Sequence, residues 1–169
     1  MMSESPIIEQ LNTIFTRLNL NYTRISHPPL ASCKDASKLG ISRPGHATKH
    51  LLLRDNYGRR HFLLVTEADN QVDLKSLTKQ LGVSRLGFAS SQRLMKHLAV
   101  LPGHVSLLAL INDKDNVVEV LIDQSLLAHA QWQLLALNNS VTWVTPQKDV
   151  LSFVAHCGKS SRIITIPTQ

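Results

Sequence analysis

The sequence predicts an α+β fold with a mixed, partly antiparallel central sheet surrounded by helices. Strand-like segments come in runs that helix-like segments interrupt, and they do not follow the strict alternation of a parallel α/β fold. The chain has 169 residues, 43% of them hydrophobic, which is enough for one domain with a substantial core. No internal repeat, low-complexity tract or linker divides the chain. We therefore predict a single domain over residues 1–169.

Helices are predicted where a capping residue precedes an apolar stripe. Residues 5–19 carry the clearest pattern, because Ser5 can cap a helix, Pro6 suits its first turn and apolar residues recur at helical spacing. Four further helices are predicted by similar signals, beginning at Ser32, Asp73, Ser90 and Thr145-Pro146. Glycines predict where three of these helices end, at Gly40, Gly82 and Gly158.

Strands are predicted from β-compatible runs between turn signals. Residues 49–66 predict a hairpin around Asn56-Tyr57-Gly58. Residues 105–111 and 117–123 predict a second hairpin around the polar loop 112–116. Further short strands are predicted within 22–26, 133–144 and 162–166.

The overall charge and the cysteine content indicate the general setting of the protein. The formal charge of +6 and the isoelectric point near 9.6 favour an anionic partner such as nucleic acid, although a basic excess can also serve solubility. Cys33 and Cys157 lie outside any CxxC or Cys/His motif, which is typical of a reducing compartment. No secretory signal and no apolar run of about 20 residues is present, so we expect a cytoplasmic protein without membrane contact.

Two candidate metal sites can be weighed from spacing alone. His46 and His50 are four residues apart, as ligands on one helical face would be, but the sequence after His46 predicts a strand. Asp113, Asp115 and Asn116 resemble part of a calcium loop that lacks its glycine and its distal glutamate, so a hairpin turn is favoured there. We therefore predict no metal site.

Two places remain that could carry chemistry. Lys49 opens an apolar strand after a loop, where its ammonium could hold a phosphate or a ribose oxygen, although a strand-end lysine in water is the commoner case. Pro102-Gly103 forms a turn that enters a strand-like run, where backbone N–H groups could approach a carbonyl or an oxyanion. An ordinary turn is the alternative at this second place.

Both places belong to a longer pattern that resembles a known family. The matching stretches are HPPL at 27–30, TKHLLLRDNYGRRHFLL at 48–64, VDLKSLTKQLGVSRLGFAS at 72–90, LPGHVSLLALIND at 101–113 and LNNSVTWV at 137–144. They resemble the YbaK-like aminoacyl-tRNA editing superfamily, which includes the insertion domain of bacterial prolyl-tRNA synthetases. The similarity is strongest to the free-standing alanyl-tRNA(Pro) deacylases.

The resemblance implies a metal-free and cofactor-free hydrolase that cleaves the ester of a mischarged tRNA. It implies that Lys49 engages the terminal nucleotide and that the loop from Gly103 to Leu107, with Gly103 and Ser106 as its catalytic residues, supplies backbone groups around the scissile carbonyl. The substrate-binding positions that it implies are His50, His104, Val105, Leu107, Leu135 and Asn139. The implied partners are the tRNA acceptor end and an aminoacyl-tRNA synthetase.

Three replacements distinguish this chain from the family pattern. Leu107 stands where the family loop GxxxP has proline, and His50 stands where the deacylase branch has asparagine. Leu135-Ala136 replaces the His-Pro pair that commonly precedes the asparagine of LNNSVT. These replacements motivate an alternative function, a catalytically degenerate module that binds tRNA or a synthetase. Retention of Lys49 and Gly103 favours the deacylase.

Overall fold

The computed structural model describes residues 6–29 and 44–169. In chain order the helices and strands are α1 (Pro6–Arg17), β1 (Thr23–Ser26), β2 (Thr48–Arg54), β3 (His61–Glu67), α2 (Leu74–Leu81), β4 (Gly87–Phe88), α3 (Ser91–Leu98), β5 (Val118–Asp123), β6 (Gln131–Leu135), β7 (Val141–Pro146), α4 (Gln147–His156) and β8 (Ser161–Ile164). Two 3₁₀ helices cover Leu107–Asn112 and Gln124–Ala128. This arrangement confirms the predicted α+β class.

The strands form two sheets. The larger sheet has the order β4-β2-β3-β5-β8, with antiparallel pairing around β2 and parallel pairing of β5 with β3 and β8. The smaller sheet is antiparallel and has the order β1-β7-β6. The mixed central sheet was predicted, whereas the separate smaller sheet was not.

Two apolar clusters cover the two faces of the larger sheet. Successive side chains of a strand point to opposite faces, and β2 follows this rule. Leu52 packs in the main core with α1, α4 and the smaller sheet, whereas Leu53 packs in a second cluster with α2. The same alternation places Lys49 and His50 on opposite faces of the sheet.

Most predicted helix ends are confirmed. The Asp73 side chain accepts a hydrogen bond from the Ser76 N–H, and Gly82 ends α2 in the left-handed conformation with φ +67°. Ser90 caps α3 in the same way as Asp73 caps α2. The predicted helix after Ser32 lies outside the described residues. Within the described part of the chain, no helix is long and apolar enough to cross a bilayer.

The predicted hairpin at 49–66 is confirmed as β2 and β3, but the second hairpin prediction was wrong. Residues 107–112 form a 3₁₀ helix, so β5 has no antiparallel partner there. Leu107, Leu108, Ala109 and Leu110 are all buried, which removes the alternation that a half-exposed strand requires. When every residue of a short apolar run is buried, the sequence pattern alone does not show whether the run forms a helix or a strand.

Candidate functional site

The loop from Gly103 to Ser106 begins with a tight turn. The His104 N–H donates to the Leu101 carbonyl at 3.0 Å, and Gly103 has φ +84°. A residue with a Cβ is strained in this left-handed region, whereas glycine adopts it freely. Glycine therefore lets the chain reverse here and keeps the backbone accessible.

Several backbone donors of this loop are unused. Among residues 6–29 and 44–169, none accepts a hydrogen bond from the N–H groups of Gly103, Val105 or Ser106. A buried or half-buried N–H without a partner is costly, and a bound ligand can satisfy it. Gly103 is exposed to solvent, whereas Val105 is half-buried and Ser106 is buried, so a bound oxygen would satisfy the N–H groups of the latter two.

The Ser106 side chain has a structural role. Ser106 is fully buried, and its hydroxyl oxygen accepts a hydrogen bond from the Leu108 N–H at 3.2 Å. This bond caps the 3₁₀ helix Leu107–Asn112. The contribution of Ser106 to chemistry is therefore its backbone N–H.

His50 ties this loop to β2. The Leu107 N–H donates to His50 Nδ1 at 3.1 Å, and Thr48 Oγ1 lies 2.9 Å from His50 Nε2. The Thr48 hydroxyl donates to the Gln133 carbonyl at 2.6 Å, so the Nε2–H of His50 donates to Thr48. Burial lowers the pKa of His50 to about 4, which keeps the imidazole neutral near pH 7. Only the neutral ring can accept the bond from Leu107.

Lys49 lies on the opposite face of β2 from His50. Its ammonium donates to the carbonyl of Asn70, in the turn after β3. The Asn70 amide donates to Thr66 Oγ1 at 2.9 Å, and the Thr66 hydroxyl donates to Asp123 Oδ2 at 2.6 Å. Lys49 is half-buried beside this buried polar network.

The first residues of β2 form an open edge. Within the described part of the chain, β4 pairs only with Leu53 and Arg54, and the Ala89 N–H reaches the Leu52 carbonyl. On the same side, β6 pairs with His46 just before β2, so among the described residues only 49–51 lack a strand neighbour there.

The other residues predicted to bind substrate form fewer contacts with one another in the structure. Leu107 is fully buried in the main core, so only its backbone faces the loop. His104 and Asn139 are half-buried, and neither forms a hydrogen bond to another described side chain. Leu135 is half-buried at the end of β6, opposite Thr142. The structure joins His50 to Leu107 but does not join either residue to Asn139.

Sequence reasoning missed the residues that support His50 and Lys49. Thr48 shares a strand face with His50, and this i, i+2 spacing was the available signal. Gln133 and Asn70 carry no such signal, because their carbonyl oxygens reach the site through tertiary packing.

The structure also bears on the cysteines and on the calcium-like loop. Burial raises the pKa of the Cys157 thiol to about 11, which disfavours a nucleophilic thiolate there. Cys33 lies outside the described residues.

The Asp113 carboxylate binds the Lys159 ammonium and accepts hydrogen bonds from the Val117 and Val118 N–H groups. This arrangement supports the rejection of a calcium loop, although the segment joins a 3₁₀ helix to β5 and does not form a hairpin.

The sequence matches one described protein family over most of its length. The family is described as the aminoacyl-tRNA editing domain, and the match covers residues 27–153. The chain is 34% identical over 149 residues to the prolyl-tRNA editing protein ProX of Acetoanaerobium sticklandii, covering 88% of this chain and 91% of that protein. It is 30% identical over 148 residues to prolyl-tRNA synthetase associated domain-containing protein 1 of Danio rerio, covering 86% and 80% respectively.

A solved structure shares the fold. The crystal structure of a proposed trans-editing enzyme for prolyl tRNA synthetase superposes with a TM-score of 0.73 at 15% identity. The alignment covers 99% of this chain and all of that one. At this identity the similarity supports the fold alone.

Proposed function

Because the chain belongs to the aminoacyl-tRNA editing domain family, we propose that it is a trans-editing deacylase that hydrolyses the ester of a mischarged tRNA. The observation that carries this proposal is the family match over residues 27–153 together with 34% identity to a prolyl-tRNA editing protein. The unused backbone donors of the Gly103 loop supply chemistry that ester hydrolysis requires.

In the proposed reaction, water attacks the carbonyl carbon of the aminoacyl ester. The carbonyl oxygen becomes an oxyanion, which accepts hydrogen bonds from the N–H groups of Gly103, Val105 and Ser106. The ester C–O bond then breaks, and a proton reaches the departing ribose oxygen. The products are the free amino acid and a tRNA with a free 3′-terminal hydroxyl. An aminoacyl ester is already activated, so positioning and polarisation suffice without a protein nucleophile.

The open edge of β2 is the proposed path of the tRNA terminus. The Lys49 ammonium would leave the Asn70 carbonyl and bind a phosphate or ribose oxygen of the terminal nucleotide. On the other face, neutral His50 would hold the Leu107 N–H and so keep the loop in position. Both residues act on one ligand because that ligand crosses the edge between them.

The finer assignments belong to the same proposal. We propose that the acceptor end of tRNA(Pro) is the bound part of the partner and that the protein acts in the cytoplasm beside a prolyl-tRNA synthetase. The names of both relatives support the prolyl system. The half-buried Leu135 would make the amino-acid pocket more apolar than the family pattern, which favours testing amino acids other than alanine.

The proposal is tested by deacylation of a panel of mischarged tRNAs, beginning with alanyl-tRNA(Pro). We expect the wild-type chain to clear at least one species, and Lys49→Ala to lower kcat/KM for it by about 100-fold. Lys148→Ala removes an exposed lysine of α4 and is the matched control, for which we expect wild-type activity.

Two results would contradict the proposal in different ways. No clearance of any species while tRNA still binds would identify a catalytically degenerate binding module. Equal losses in Lys49→Ala and Lys148→Ala would show that Lys49 contributes only general positive charge.

A further inference from the structure

Two histidines and one glutamate converge beside the start of β2. His46 precedes β2, Glu67 ends β3, and His129 follows the 3₁₀ helix Gln124–Ala128. One nitrogen from each imidazole and one carboxylate oxygen all lie within 4.8 Å of one another. His46 Nε2 hydrogen-bonds to Glu67 Oε2, and His129 Nε2 lies 3.9 Å from Glu67 Oε1. We refer to these three residues as the His–Glu cluster.

The backbone on both histidine segments is fixed by hydrogen bonds. The His46 N–H donates to the Gln131 carbonyl at 2.8 Å, and the Gln133 N–H donates to the His46 carbonyl at 2.9 Å. The His129 carbonyl accepts a bond from the buried Trp132 indole at 3.0 Å. The three side chains therefore converge from anchored positions, and their convergence does not depend on a loose loop.

The orientation of the three side chains is also constrained. The Ser125 hydroxyl donates to Glu67 Oε1 at 2.8 Å, which holds the carboxylate in place. The His46 and His129 rings stack with centroids 3.4 Å apart and planes 7° from parallel. The stack keeps the two rings side by side near one carboxylate, and the rings turn out of the parallel arrangement when both Nε2 lone pairs point at one ion. An outer hydrogen bond to a ligating carboxylate is a common feature of metal sites.

We propose that the His–Glu cluster binds one Zn²⁺ ion, with water completing the coordination. Zinc binds imidazole nitrogen and carboxylate oxygen at about 2.0–2.2 Å, so its ligand atoms lie roughly 3.3 Å from one another. Binding therefore requires the three ligand atoms, now within 4.8 Å of one another, to close around the ion. Two imidazoles and a carboxylate form a donor set that suits zinc better than magnesium or calcium.

Solvent access agrees with an open coordination position. The side chains of His46, Glu67 and His129 are 29%, 22% and 39% exposed. They are thus neither sealed in the core nor free on the surface, and an ion can enter. The spacing in the sequence suggested His46 and His50 as a pair of metal ligands. The fold instead brings His46 together with Glu67 and His129.

The proposed zinc ligands are different residues from those assigned to the ester. The test of this proposal therefore measures metal binding and not deacylation. The full chain, purified through a tag without histidines and stripped with a chelator, is titrated with ZnCl₂ by calorimetry. We expect one equivalent to bind. Glu67→Gln and His129→Ala should each weaken binding by more than about tenfold, because even disturbing an outer-shell partner costs that much.

His156→Ala is the matched control. It removes an exposed histidine at the end of α4, away from the cluster, and should leave the zinc affinity unchanged. Zinc should raise the thermal midpoint of the wild type and of this control, but not of the two cluster variants. Glu67→Gln retains side-chain size and an acceptor oxygen, so its metal-free fold can be compared directly by circular dichroism.

Two outcomes overturn the proposal. The first is a wild-type chain that fails to bind one equivalent of Zn²⁺. The second is an affinity that both Glu67→Gln and His129→Ala leave at the wild-type value. Either result leaves the proposed editing activity untouched.

Discussion

The backbone N–H of Leu107 donates a hydrogen bond to Nδ1 of His50 at 3.1 Å. The two residues are replacements relative to the family pattern, and the structure shows that they are in contact. A proline at 107 would have no N–H to donate. A leucine there supplies the donor, and His50 supplies the acceptor. The bond therefore offers the loop a restraint in place of the rigidity of a proline ring.

Leu107→Pro tests this relationship directly. Position 107 opens a 3₁₀ helix, where the backbone angle of proline is tolerated, so the variant loses the N–H donor and the packing of the buried leucine side chain. The Nδ1 of His50 then has no partner, which lowers the free energy of unfolding by about 1–3 kcal/mol, and the lost packing of Leu107 lowers it further. Urea denaturation measures this loss, and a deacylation assay should show a lower kcat.

A double-mutant cycle with His50→Ala supplies the control. If the bond is responsible, Leu107→Pro should cost much less in a chain that already lacks the imidazole. Leu107→Ala keeps the N–H and removes only buried side-chain volume, so it reports the packing contribution. Costs that add fully in the double variant would contradict the proposed restraint.

The neutral state of two buried histidines predicts acid sensitivity. Burial lowers the pKa of His50 to about 4, and burial together with His97 and Arg93 lowers the pKa of His61 to about 4. Between about pH 6.5 and pH 4 the unfolded chain binds more protons at these sites than the folded chain. Stability is therefore full above about pH 6.5 and falls as the pH drops toward 4.

Denaturant titrations at several pH values measure this slope. His50→Asn and His61→Gln should each flatten it, because an amide does not titrate. His156→Gln, at an exposed position, is the control and should leave the slope unchanged. A slope that persists in both variants would assign the acid sensitivity to other groups.

Much of the fold could be predicted from local signals, and the failures have a physical cause. Asp73 and Gly82 bound α2 where they were expected to, because a cap and a left-handed glycine act within one turn of the chain. The run Leu107–Leu110 was misassigned as a strand because all four residues are buried. Their pattern therefore lacks the alternation of buried and exposed residues that distinguishes a strand from a helix. The smaller sheet was missed because β1 pairs with β7, a segment far from it in sequence, although β6 and β7 are consecutive strands.

The site could be predicted only in part, because local signals identify its residues but not the tertiary contacts between them. The replacements at positions 50 and 107 could be identified from the sequence, but the hydrogen bond that joins them is a tertiary contact. Lys49 and His50 are neighbours in sequence, yet they lie on opposite faces of one strand.

The buried ion pair between Asp113 and Lys159 predicts a large loss of stability on truncation. Their side chains are 1% and 3% exposed, and Asn116 also accepts from the lysine at 2.6 Å. Burial raises the pKa of Asp113, but Lys159 and the Val118 and Val117 N–H groups outweigh it and lower the pKa below its ordinary value. Lys159→Met should cost about 3–5 kcal/mol, because it leaves a buried carboxylate without its cation.

The exposed pair between Arg60 and Glu119 provides the comparison. Its side chains are 44% and 45% exposed, with a 2.8 Å contact between Arg60 Nη2 and Glu119 Oε1. Arg60→Met should cost less than about 1 kcal/mol, since solvent screens such pairs. Similar costs for Lys159→Met and Arg60→Met in urea denaturation would show that the buried pair contributes no more than a surface contact.

Gly103→Ala separates the chemistry of the loop from its stability. Gly103 has φ +84°, and Gly82, at the end of α2, has φ +67° with open space where a methyl group would lie. An added Cβ is strained in this backbone region by about 1–2 kcal/mol, so both alanine variants should lose similar stability. Only Gly103→Ala should lower kcat, by about tenfold or more, because it displaces the donors that the proposed mechanism assigns to the ester oxygen. Deacylation kinetics beside thermal midpoints of the two variants make the comparison. A kcat loss shared by Gly82→Ala would mean that general destabilisation, and not the Gly103 loop, limits the reaction.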